Sequence, residues 1–218
     1  MLRRAHPVRR PGPFVSAALA AAAVLAALTV ATAASSGPAP APAPAATAPA
    51  DGSADAGFAR DMAVHHQQAV EMAYLVRDRT DDEDIRVLAY DIAQTQSTQR
   101  GMLLGWLDLW ELPTVSAREP MAWMGMTPDP RDVRDGALMP GMATRAQLDE
   151  LRAARGRTAE ALFLRLMTAH HRGGVHMAEG CVRSCAVPVG KRLARGMVDG
   201  QRSEIARMDE LLRARADG

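Results

Sequence analysis

Set against itself at an offset of 105 residues, the chain matches its own sequence. Phe58, Arg60, Met62, His65, His66, Val70, Met72 and Ala73 meet Phe163, Arg165, Met167, His170, His171, Val175, Met177 and Ala178, eight identities in sixteen positions. The same offset continues without a gap, so that Leu88, Ala89, Gln96 and Leu107 meet Leu193, Ala194, Gln201 and Leu212. Two copies of one unit must bury their apolar faces by one rule, and that constrains the architecture before any single residue does.

Each unit reads as two helices. In the first, residues 53–78 keep Phe58, Met62, Ala69, Ala73 and Val76 at helical spacing. Asp81-Asp82-Glu83-Asp84 then supplies an N-cap and an acidic first turn for a second helix to about Glu111, which Pro113 stops. In the second unit, one helix runs from about Thr158 to Cys181 and another from Val187 or Pro188 to Ala214. Aromatic residues make up only 4% of the chain, whereas the helix formers Ala, Leu, Met and Arg abound, which argues against an all-β fold. Four amphipathic helices, none able to bury its stripe alone, predict an all-α antiparallel four-helix bundle made of two duplicated hairpins. The formal charge of +1 offers no broad field, which argues against a nucleic-acid partner.

The expected organisation has three parts. Residues 1–34 hold Arg3, Arg4, Arg9 and Arg10 and then an uncharged apolar run over 14–34, the pattern of a signal peptide. An uncleaved membrane anchor over 14–34 is the alternative, since about 20 apolar residues span a bilayer. Either way the remainder is expected outside the cytoplasm, secreted or associated with the cell envelope. Residues 35–52 are a Pro/Ala-rich linker. The bundle occupies 53–215, with repeat units at about 53–112 and 158–215. The 113–157 crossover between them is rich in Pro and Met, and within it Thr144 and Gln147 form a capping box for a short helix.

Five of the six histidines fall in the two duplicated stretches, and methionines accompany them. At about 100° per residue, Met62, His65, His66, Ala69, Met72 and Ala73 share one helix face. The copy repeats that face with Met167, His170, His171, Gly174, Met177 and Ala178, so packing the copies together is expected to bring four imidazoles and up to four thioethers to one interior region. His176 matches Glu71 and falls on the opposite, exposed face. Methionine at such positions also serves as core filler. Paired imidazoles on an apolar stripe, by contrast, need buried partners merely to be tolerated. Gln96, Gln99, Gln201 and Glu204 interrupt the inner stripes of the partner helices, where they would fix the tautomer of a ligating histidine or be satisfied core amides.

Imidazole with thioether is a soft ligand set suited to copper, Cu(I) above all. No Glu is followed three residues later by His, which counts against a di-iron carboxylate site, and the absence of HExxH excludes a zincin. Asp61, one turn before His65, is either a hard ligand or solvated. Met121, Met124, Met126, Met139 and Met142 in the crossover read either as a capture site for the ion or as a hydrophobic lid. Cys181 and Cys185 read as a local disulfide in an oxidising compartment, with a soft-metal thiolate pair as the alternative.

The segments FARDMAVHHQQAVEMA and FLRLMTAHHRGGVHMAEG, followed by QSTQRGMLLGWL and GQRSEIARMDELL, resemble the DUF305 family of exported bacterial proteins over about residues 53–215. The PGMAT-x-x-QLDEL stretch is similar to that family's link, and Gly173 matches its HH-x-G pattern, whereas Gln68 departs from it. The resemblance implies a ferritin-like fold. It also implies a copper site at His65, His66, His170 and His171 with Met62, Met72, Met167 and Met177. The leading expectation is a non-enzymatic protein that sequesters or delivers copper; protein partners are not readable. The rivals are a redox enzyme of cuprous oxidase type and a metal-free helical interaction module.

Overall fold

The computed structural model describes residues 48–216; the expected leader (1–34) and the linker as far as residue 47 lie outside them. Helix α1 spans Ala54–Arg77 and α2 Glu83–Leu109. A single 3-10 turn (Ala122–Met124), α3 (Pro130–Arg134) and α4 (Arg145–Ala153) punctuate the crossover. Helix α5 spans Gly156–Ser184 and α6 Pro188–Ala216. The fold is all-helical among the described residues, with α1 packed on α2, α5 on α6, and α1 on α5 where the two copies meet.

Local chemistry sets the helix ends. Ser53 caps α1 by accepting from the Ala56 amide, and Asp82 caps α2 by accepting from Ile85, with Glu83 and Asp84 in the favourable first turn. Thr144 and Gln147 close a reciprocal capping box on α4. Cys185 leaves the helical conformation at the end of α5 (φ −66°, ψ 146°), which lets a disulfide join it to Cys181 across a Cα–Cα distance of 4.8 Å. Asp55 at the start of α1 then accepts from the amides of Ala186 and Val187, both at 2.9 Å, and so ties the α5–α6 turn to the opposite hairpin.

That tie makes α1 and α5 antiparallel, and the core follows from it. Phe58 and Met62 pack with Met177 and Cys181 at one end of the bundle, whereas Met72 and Val76 pack with Phe163 and Met167 at the other. The two copies are thus related by a pseudo-twofold passing between the apolar clusters, at the level of the paired histidines. Side chains such as Phe58, Met62, Ile92, Leu103, Phe163 and Met167 are fully buried, and each contributes roughly 1.5–3 kcal/mol of transfer free energy.

The crossover is strapped to the polar side of α1. Buried Arg60 donates to the Pro113 carbonyl at 2.7 Å and the Asp51 carbonyl at 2.9 Å, and pairs with the Asp51 carboxylate. Gln68 exchanges two hydrogen bonds with the Ala143 backbone, at 2.7 and 2.9 Å. Between these anchors the turn of residues 138–142 lies directly on α5. Gly141 has φ +79°, and a Cβ there would stand 2.2 Å from the Ala169 carbonyl; a Cβ on Gly173 would stand 1.8 Å from the Pro140 carbonyl.

Gly173→Ala therefore forces backbone apart even though alanine is the better helix former. We expect a loss of about 1–3 kcal/mol in thermal unfolding from overpacking. Gly200→Ala, which meets nothing within 4 Å in the same fold, should gain roughly 0.5–1 kcal/mol. Equal melting temperatures for the two variants would contradict the strap's close approach.

Candidate functional site

At the pseudo-twofold, where an apolar layer would be the simplest filling, the bundle buries four imidazoles. His65, His66, His170 and His171 are each 0% exposed. Consecutive ring centroids lie 6.4 Å (His66 to His65), 3.7 Å (His65 to His170) and 6.3 Å (His170 to His171) apart, and the charge of His171 still reaches His66, so the four rings form one cluster. The outer spacings, one within each helix, are nearly equal, and the short central one is the contact of α1 with α5.

Every ring uses its Nε2. His66 donates to the Gln99 side-chain oxygen at 2.9 Å and His171 to the Glu204 carboxylate at 2.7 Å. His65 donates to the Pro140 carbonyl at 3.2 Å, and His170 to the backbone carbonyl of His65 at 2.9 Å. All four partners are acceptors, so the proton sits on Nε2 in every ring. The opposite nitrogen, Nδ1, is buried in all four and meets no protein partner. A hydrogen there would be a buried donor without an acceptor, so Nδ1 is the nitrogen left with a lone pair to offer.

Electrostatics point the same way. Burial strips hydration from the imidazolium form and pushes His65 down to about 4 and His66 to about 3, the latter helped by the neighbouring His65 charge. Burial, and then the charges of His65, His171 and His66, hold His170 well below 6.5. These rings are neutral bases at physiological pH, the state a metal ligand requires.

Gln99 and Glu204 thus take the places expected of them. Gln96 and Gln201 do not hold a ring: each is buried, 1% and 4% exposed, with neither amide atom hydrogen-bonded to protein, although the Nδ1 of all four rings is also without a protein partner. Gln201 instead lies in the space that a side chain on Gly174 would fill. Of nine buried side-chain atoms without a protein partner among the described residues, eight belong to these four histidines and two glutamines, and Thr168 holds the other. Such orphans are scarce in folded proteins, and their concentration at one level of the bundle marks the site.

The methionines are divided. Met62, Met72, Met167 and Met177 are fully buried, but the antiparallel crossing sends Met62 and Met177 to one apolar cluster and Met72 and Met167 to the other. The expected single gathering of four thioethers is corrected to two pairs. Among the described residues no three His, Cys, Asp or Glu side chains are grouped as a ready-made ligand set. In the crossover, Met121, Met126, Met139 and Met142 line one cavity of about 290 Å³ beside Pro140, the residue whose carbonyl holds His65. Met124 is apart from them, packed against Gly180.

Asp61 is not solvated. Its carboxylate accepts from the Met121 amide at 2.7 Å and the Trp123 indole at 2.9 Å, and burial raises its pKa. It anchors the crossover, as do Gln68 and the Pro140 carbonyl, none of which spacing on α1 alone identifies. The one signal was Gln68 standing opposite Gly173 in the duplication, a position that faces the crossover backbone in both copies.

A pH dependence follows. An unfolded chain protonates these rings near 6.5, and the folded chain keeps protons off His65 and His66 until about 4 and about 3. Unfolding therefore takes up protons in that interval, and stability falls as pH is lowered. The melting temperature of the metal-free chain should drop from pH 7 to pH 5, above the carboxylate range, with uptake approaching three protons, one each for His65, His66 and His170. A melting temperature that stays flat or rises over that interval would contradict the burial of neutral rings.

Comparison with known proteins agrees with the fold. The model of the DUF305 family, a domain of unknown function, matches residues 55–212. A DUF305 protein from Streptomyces coelicolor, described as a candidate secreted protein, superposes with a TM-score of 0.71 and 63% identity, covering 77% of this chain and 96% of its own. A DUF305 fragment from Deinococcus radiodurans gives 0.62 and 31%, covering 74% and 96%. CopM in its Cu(II)-bound form gives 0.58 and 25%, also covering 74% and 96%. No curated protein matches the chain. With the family model spanning most of its length and the duplicated histidine cluster at its centre, this chain belongs to the DUF305 family.

Proposed function

We propose that the chain is an extracytoplasmic copper-binding protein, which holds the ion as cargo for sequestration or delivery. The ligands in this reading are the Nδ1 atoms of His65, His66, His170 and His171 with the thioethers of Met62, Met72, Met167 and Met177. The observation that carries it is the set of four buried Nδ1 atoms without a protein partner, on rings whose Nε2 protons are fixed by acceptors. Fixing the second nitrogen in this way is how proteins orient ligating histidines.

The donor types choose the metal. Uncharged nitrogen and thioether sulfur suit a soft, singly charged ion, whereas zinc and iron sites recruit thiolates or carboxylates. The CopM structure with bound Cu(II), at 25% identity, supports copper within this fold. The cavity beside Pro140 supports a capture role for Met121, Met126, Met139 and Met142, since it adjoins the backbone that holds His65. Met124 belongs to the same loop and the same proposal. Export is supported by the leader pattern in 1–34, by the candidate secreted relative, and by the disulfide, which persists in oxidising compartments. Among the described residues no helix is long and apolar enough to cross a membrane.

The test is an anaerobic titration of Cu(I) against a competing chelator. Replacing His65, His66, His170 and His171 by alanine should weaken binding by more than the roughly 100-fold that loss of an outer partner costs. Met62→Leu with Met177→Leu conserves core volume and should weaken binding while leaving the melting temperature within a few degrees. Unchanged affinity in both variants would overturn the reading, and oxygen consumption that continues over many turnovers with Cu(I) supplied in excess would replace holding with catalysis.

A further inference from the structure

The duplication repeats the geometry around the outer histidines but not the charge. Gln99 on α2 and Glu204 on α6 stand at equivalent positions, 105 residues apart, each three residues beyond a buried glutamine, Gln96 or Gln201. Each accepts from the Nε2 of the second histidine in its pair, at 2.9 Å for His66 and 2.7 Å for His171. One acceptor is a neutral amide and the other a carboxylate.

Among the described residues Glu204 is the one carboxylate that hydrogen-bonds an imidazole of the cluster. Asp61, the carboxylate one turn from His65, is committed to the Met121 amide and the Trp123 indole. A cation entering this layer loses its hydration in a low-dielectric interior, where an unbalanced charge is costly. A carboxylate behind the ligating ring compensates that charge and strengthens the nitrogen as a donor; an amide fixes the ring without either effect. Glu204 is 23% exposed and its partner ring is fully buried, so the charge reaches the interior without the carboxylate being sealed in it.

We infer that the two histidine pairs are unequal cation sites, the His170/His171 pair being the tighter because Glu204 supplies the compensating charge that Gln99 cannot. This rests on the proposed use of the cluster as a copper site and adds an order of filling: the second copy takes the first ion.

Glu204→Gln tests this with minimal disturbance, because it keeps the acceptor and the shape and removes the charge. In the competitive Cu(I) titration the native chain should show two unequal steps. Glu204→Gln should weaken the tighter step by about 10–100-fold and leave the weaker one in place. Gln99→Glu should strengthen the weaker step. His171→Gln and His66→Gln assign the steps, the former removing the tighter and the latter the weaker. The Cu(II)/Cu(I) potential of the tighter site should rise in Glu204→Gln, since the lost anion favoured the higher oxidation state; a merely structural role would leave it unmoved. Unchanged affinities and potential in a Glu204→Gln chain that still takes up Cu(I) would overturn the inference alone. A native chain that takes up no Cu(I) would overturn it together with the reading on which it rests.

Discussion

Burying four imidazoles at the midpoint of a small bundle obliges the protein to find an acceptor for each Nε2 proton, and those four acceptors connect the whole molecule. Gln99 engages α2 and Glu204 engages α6, so the two outer helices are registered against the inner pair by polar contacts as well as by apolar ones. The His65 carbonyl, serving His170, joins α1 to α5 across the pseudo-twofold. The Pro140 carbonyl, serving His65, holds the crossover down on both. Leaving any of these protons unmatched would cost about 1–3 kcal/mol, a sizeable share of the stability of a domain this size.

The four long helices, the cap of α2, the capping box of α4 and the burial of the histidine face were legible because each depends on neighbours within a turn or two. Ser53, Asp82 and the Thr144–Gln147 box act locally, and the structure places them at the helix ends. What the sequence does not display is the outcome of long-range packing. The methionines part into two pairs because α1 and α5 run antiparallel, which a face projection of one helix does not contain. The Nε2 atoms of His65 and His170 are held by backbone carbonyls from 75 and 105 residues away and not by Gln96 or Gln201. Asp61 is taken by a crossover whose path no periodicity encodes.

Under the proposed copper reading, the site would be selective without a closed cage of ligands. Each ring is held from its Nε2 side, so the bundle pre-orients Nδ1 while keeping the interior uncharged. Neutral nitrogens and thioethers in two symmetric pairs, one toward each apolar cluster, leave doubly charged hard cations with no anionic partner inside the layer. The exception is the Glu204 end of the cluster, where a duplicated design has diverged by one functional group.

The most direct measurement is nitrogen NMR of the imidazoles in the native chain, with and without Cu(I), because it reads each ring nitrogen separately. The account predicts that metal-free His65, His66, His170 and His171 show the Nε2–H tautomer and that Cu(I) shifts their Nδ1 resonances while the Nε2 protons stay in place. Shifts confined to Nε2, or spectra indifferent to Cu(I), would contradict it.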